Sequence, residues 1–129
     1  MEQTSALSHV SLGTDDVPRA KKFYDAVLAT LRMKCVMAFE QGAGYGHKFP
    51  EFWIQLPHDG QPAGTGNGTH VCFNAASVEE VQAFHRKALE MGGSDDGQPG
   101  LRKEYAENYY GAFVKDLDGH KIEAMCWLK

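Results

Sequence analysis

Three side chains in this sequence have the chemistry of divalent-cation donors at positions that ask for an explanation: His9, His70 and Glu123. Neutral imidazole and carboxylate bind divalent transition metals well. Two imidazoles and one carboxylate leave coordination positions open for water or substrate. That suits Lewis-acid work and, with iron, oxygen chemistry. The two histidines are linked by a repeat. Sliding the chain by 61 positions lays HVSLGTDDVPRAKKFYDAVL on HVCFNAASVEEVQAFHRKAL, with His9 on His70. The matched apolar residues (Leu12 on Phe73, Val17 on Val78, Phe23 on Phe84) would suit any two strand–helix units. The matched histidines are not needed for packing. Glu123 lies in HKIEAM, an otherwise apolar strand, where an inward carboxylate is costly unless paired or coordinating. Each of these residues alone has a bland reading, as a satisfied core or surface histidine or as a solvent-facing glutamate. The repeat is what favours a shared site.

The elements that must position these side chains follow from periodicity. Residues 9–12 and 70–73 are short β-prone runs with alternating faces. Asp16 is placed to cap a helix with Pro18 in its first turn. Val17, Ala20, Phe23, Tyr24, Val27, Leu28 and Leu31 then keep helical spacing. Ser77 and Glu80 form a capping box before a second helix whose apolar face is Val78, Val81, Phe84 and Ala88, and Gly92 and Gly93 end it. Strands are expected at 33–39, 44–48 and 51–56 in the first half, and near 102–104, 109–116 and 121–127 in the second. Asp118-Gly119 marks a hairpin between the last two. Residues 57–68 read as a linker and 92–100 as a glycine-rich loop. The fold expected is α+β: one domain over 1–129, made of two βαβββ modules (about 5–60 and 68–129) whose mixed sheets curve around a central metal cavity.

Composition excludes several classes. The chain has 129 residues, 43% hydrophobic and 23% charged, with a net charge of −4. Lysine and arginine are scattered, which argues against a nucleic-acid surface. No apolar run is long enough to span a bilayer, and the first ten residues lack signal-peptide features. A cytoplasmic location is therefore expected. Three cysteines without a CxxC pair argue against a disulfide framework and suggest reduced, mostly buried thiols. The stretch Gly64–Gly68 lacks the lysine and helix of a phosphate loop. His58, His85 and His120 read as solvent-facing, and His47 as a surface residue.

Three segments, SHVSLGTDDVPRAKKFYDAVL, GTHVCFNAASVEEVQAFH and YYGAFVKDLDGHKIEAM, together make the sequence resemble the vicinal oxygen chelate superfamily. That superfamily includes glyoxalase I, bleomycin-resistance proteins, fosfomycin thiol transferases and extradiol dioxygenases. The resemblance implies one divalent ion (zinc, nickel, manganese or iron) held by His9, His70 and Glu123. A fourth position would fall in EFWIQLP, on Gln55 or on Trp53 according to the alignment. Neither is a carboxylate, which argues against the proton transfer of glyoxalase I. Strand alternation puts Cys72 and Asn74 on the face of His70, Ser11 on that of His9 and Met125 on that of Glu123, so these would line the substrate cavity with Trp53 and Tyr109, and Glu123 and Tyr110 would be the catalytic groups. The implied partners are a small oxygen-bearing substrate, a thiol co-substrate and a second copy of the chain with exchanged modules. Lyase, isomerase or thiol-transfer chemistry is the leading reading. The alternatives are a metal-free drug-binding protein and a ferrous extradiol-type dioxygenase.

Overall fold

A computed structural model describes residues 5–129. The first module runs β1 (Val10–Gly13), α1 (Val17–Ala29), β2 (Lys34–Phe39), β3 (Gly42–Gly46) and β4 (Phe52–Gln55). The second runs β5 (His70–Asn74), α2 (Val78–Glu90), β6 (Ser94–Leu101), β7 (Tyr109–Lys115) and β8 (Lys121–Trp127). Each module folds its strands into a four-stranded mixed sheet, ordered β1-β4-β3-β2 and β5-β8-β7-β6. In both, the first strand pairs in parallel with the last, and the other pairings are antiparallel. The expected α+β architecture of two βαβββ modules is what the chain adopts, and both sheets are open.

The helix signals act as anticipated. The Asp16 carboxylate accepts the Arg19 N–H at 3.1 Å, with Pro18 in the first turn. The Ser77 hydroxyl accepts the Glu80 N–H at 3.2 Å, and Glu80 reaches back to the Ala76 N–H at 2.8 Å. Gly92 ends α2 at φ 101°, a left-handed conformation that favours glycine.

Strand β6 departs from expectation. Residues 94–101, read as part of a loop, are hydrogen-bonded to β7, and the strand expected at 102–104 is a turn. SDDGQPGL has little intrinsic strand preference. Pairing with β7 imposes the conformation, and the ladder shifts register between Asp95 and Gly97 and again before Gly100.

Each helix covers one face of its own sheet, and the helices touch one another. The covered faces therefore fuse into one core containing Leu12, Phe23, Tyr24, Phe52, Phe73, Phe84 and Ile122. The Phe52 and Phe73 rings, one from each module, meet edge to face at 5.0 Å. Polar contacts fix the same junction. Asp116 accepts the N–H groups of Asp118 and His120 on one oxygen, each at 2.9 Å, and the Tyr24 hydroxyl on the other at 2.5 Å. His120 Nε2 donates to the Gly13 carbonyl at 2.6 Å. His120 is 6% exposed, so the solvent-facing reading does not hold: the hairpin tip is tucked against β1. His85 also departs from it, at 5% exposed and bonded to Asp95 at 2.8 Å. His47 and His58 are exposed as read.

Two buried phenols make stability sensitive to alkali. Burial first, and then the Asp116 charge, hold the Tyr24 hydroxyl well above its usual range. Tyr45, bonded to Asp25 at 2.8 Å, is raised mainly by burial as well. In the unfolded chain both ionise near pH 10, so their contribution is intact below about pH 10 and is lost as pH rises further, by up to about 1.4 kcal/mol per pH unit per phenol. Urea midpoints should fall between pH 9 and 11, and less steeply in Tyr24→Phe. A midpoint flat across that interval would contradict the assignment.

Candidate metal and substrate site

Strand pairing sorts the second module's side chains between two faces. Ile122, Ala124 and Cys126 point into the core under α2. Residues of opposite parity (Lys121, Glu123, Met125, Trp127) point to the uncovered face. Cys72 is the register partner of Glu123, and Asn74 that of Met125. Across the hairpin, Phe113 partners Glu123 and Gly111 partners Met125. His70, Cys72, Asn74 and Met125 thus share a face with Glu123, as strand alternation implied, and the hairpin register adds Tyr109 to it.

At the centre of that face Glu123 is 1% exposed. A carboxylate so placed needs partners, and it has two. His70 Nε2 lies 2.6 Å from Oε1, and the Tyr109 hydroxyl donates to Oε2 at 2.5 Å. Burial, followed by this bond to Glu123, raises the Tyr109 phenol well above its usual range. Gly111 gives the cluster room: a Cβ there would come within 3.0 Å of Glu123 Oε2. Cys72 is exposed, not buried as expected for the thiols, and its sulfur lies 3.9 Å from the Tyr109 oxygen. Partial burial and the Glu123 charge push the thiol up to about 12, so it stays protonated at neutral pH and is not poised as a nucleophile. Cys35 is half-buried and Cys126 buried; all three thiols are free.

Tyr110, taken from the sequence as catalytic, faces the other way. It packs against Val81, Ala112 and Cys126 on the helix side, and its hydroxyl accepts a hydrogen bond from Gln82 on α2. Adjacent strand residues alternate faces, so only one of the two tyrosines can reach Glu123, and Tyr109 does. The Asp118-Gly119 turn was the available signal. Folding the hairpin about it sets Phe113 against Glu123, and Tyr109 shares the parity of Phe113.

The first module presents a different surface. Ser11 partners Trp53 as Cys72 partners Glu123, so Trp53 occupies the position equivalent to Glu123, and Gln55 the position equivalent to Met125. The Trp53 ring stacks on Phe39 at 6.2 Å with 5° between planes, and it lies over Gly44, where a Cβ would come within 2.8 Å. His9 and Ser11 are exposed. His9 does not join His70 and Glu123. The module junction brings Gly13, at the far end of β1, to His120, beside the start of β8. His9 precedes Gly13 by four residues, about 13 Å of extended strand. Among the described residues no three His, Cys, Asp or Glu side chains converge as a metal cluster. The chemistry of His70 and Glu123 fits a divalent ion, but two protein donors fall short of the three that such sites commonly use.

The Glu123–Tyr109 contact has a measurable signature. A double-mutant cycle of Tyr109→Phe with Glu123→Gln, read by urea denaturation, should give a coupling of about 1–3 kcal/mol, as for a hydrogen bond to a buried charge. A coupling near zero would show that the bond does not form.

The comparisons with known proteins agree with this architecture. The family model of the Glyoxalase/Bleomycin resistance protein/Dioxygenase superfamily matches residues 6–124. A glyoxalase/bleomycin resistance protein from Albidiferax ferrireducens T118 is 39% identical, with 94% of this chain and 98% of that one covered, at a TM-score of 0.84. A family enzyme from Burkholderia phytofirmans PsJN shares the fold at 15% identity, covering 96% and 100% of the two chains, with a TM-score of 0.73. A glyoxalase-related enzyme from Fulvimarina pelagi does so at 17% identity, 95% and 88% coverage and a TM-score of 0.72. No curated protein matches the chain. From residue 6 to residue 124, the chain belongs to the glyoxalase/bleomycin resistance protein/dioxygenase superfamily.

Proposed function

We propose that this protein is a divalent-metal-dependent enzyme acting on a small oxygen-bearing molecule, with lyase, isomerase or thiol-transfer chemistry. The observation that carries the reading is the Glu123 carboxylate, 1% exposed on an uncovered sheet face and held between His70 and Tyr109. Glu123 and His70 would hold the ion, with His9 of a second copy as the third donor. What supports a second copy is that the uncovered faces of one chain lie away from the core and His9 does not reach Glu123 within it. When bound, a divalent ion supplies Lewis-acid polarisation of a substrate oxygen. Tyr109 orients the carboxylate through Oε2 and leaves Oε1 toward His70. Asn74 and Cys72 flank the donors and would contact substrate, as would Ser11 and Trp53 from the other copy. Trp53 at the fourth position walls the pocket, and proton transfer of the glyoxalase I kind is disfavoured there.

A second reading, metal-free sequestration of a small molecule, is favoured by one observation: the Phe39–Trp53 stack on the uncovered face of the first module. Flat aromatic walls of this kind suit drug binding.

Metal analysis separates the two. Protein purified without chelator should carry a divalent metal, and His9→Ala or Glu123→Ala should lose most of it. Mixing the two variants under subunit exchange should restore about a quarter of the wild-type content, because each mixed dimer regains one of its two sites. Metal content unchanged in both single variants would defeat the metalloenzyme reading. Loss without recovery on mixing would defeat the shared site.

A further inference from the structure

A cavity of about 570 Å³ opens beside His70 at the end of the uncovered face, within the usual size of small-molecule pockets. It is lined by His70, Asp96, Tyr105, Phe113, Lys115 and Lys121, and by the glycine-rich loop over residues 65–69. Lys115 and Lys121 are direct cross-strand partners. Like charges placed opposite one another in a sheet repel, and a counter-charge between them relieves the repulsion. Asp96 supplies one, at 3.3 Å from Lys121 Nζ. Lys115 makes no ion pair among the described residues. The Lys121 ammonium lies 4.9 Å from the centre of the Phe113 ring, and that ring is 5.9 Å from the ring of His70. Lys121 thus sits over an aromatic wall that leads to the candidate metal ligand, and the unpaired Lys115 lines the same cavity.

We propose that this cavity is an anion subsite, in which Lys115 and Lys121 hold an acidic oxyanion of the substrate (carboxylate, phosphonate or phosphate) while Phe113 and Tyr105 flank its body. The inference deepens the enzyme reading by giving its small molecule an acidic group, and it rests on that reading only for which end of the substrate reacts. The lysines come from the last hairpin and the glycine-rich loop from the linker. The linker segment, which lacks a phosphate loop's own lysine, here faces cations supplied from elsewhere in the chain.

The test is calorimetric titration of the whole protein with phenylphosphonate, benzoate and the neutral analogue benzamide. At least one anion should bind more tightly than benzamide. Lys115→Ala and Lys121→Ala should each weaken it by about fivefold, the size expected of a partly exposed ion pair, and leave benzamide unchanged. Lys115→Arg and Lys121→Arg should retain anion binding. The better of the two anions identifies the acidic group as carboxylate or as phosphonate and phosphate. In Glu123→Gln the lysine dependence should persist, so failure of the metal reading and failure of the subsite are separable. Benzamide binding at least as tightly as both anions, no anion binding, or anion affinity that follows Glu123 and ignores both lysines would overturn the proposal.

Discussion

The structure depends on the fusion of two helix-covered sheet faces into one core. A βαβββ unit hides one side of its sheet under its helix and leaves the other bare. Here the covered sides are joined by Phe52 on Phe73, and by Tyr24 and Gly13 on the 116–120 turn. The apolar burial that stabilises the chain is thereby concentrated between the modules. The candidate site residues lie on faces that this core does not use. His70, Glu123 and Tyr109 occupy one such face, and His9 and Trp53 occupy the other. A core built this way separates the two histidines that the repeat pairs in sequence.

Much of this was legible beforehand. Helix boundaries followed from Asp16, Ser77 and Gly92, because caps are local chemistry. Membership of one face followed from strand alternation, which put Cys72, Asn74 and Met125 with His70 and Glu123. The hairpin at Asp118-Gly119 was visible, but the motif around it has a second role that sequence does not show. Asp116 and His120 latch the modules together, and that contact depends on a residue 92 positions away. The exposed readings of His85 and His120 failed because partners outside their own elements bury them, Asp95 on β6 for His85 and Gly13 on β1 for His120.

Other misses have equally specific causes. Tyr110 and Tyr109 are adjacent, and choosing between them required the ladder register and not composition. Gln55 and Trp53 share a face, so alternation could not choose between them, and the pairing of Ser11 with Trp53 could. Strand β6 carries aspartates, glycines and a proline. Its conformation is imposed by its neighbour, which no local pattern announces. The lysine pair at 115 and 121 became visible only when the hairpin placed the two residues opposite each other.

The register shifts in β2 and β6 bear on how copies of the chain meet. These strands form one edge of each sheet, opposite β1 and β5, and each has an interrupted ladder, between Cys35 and Met37 in one and around Gly97 in the other. A kinked edge is a poor template for a further strand, and Pro99 removes an N–H from one of them. Strand addition is thereby discouraged at these two edges, so the β2 and β6 sides of the sheets stay unextended.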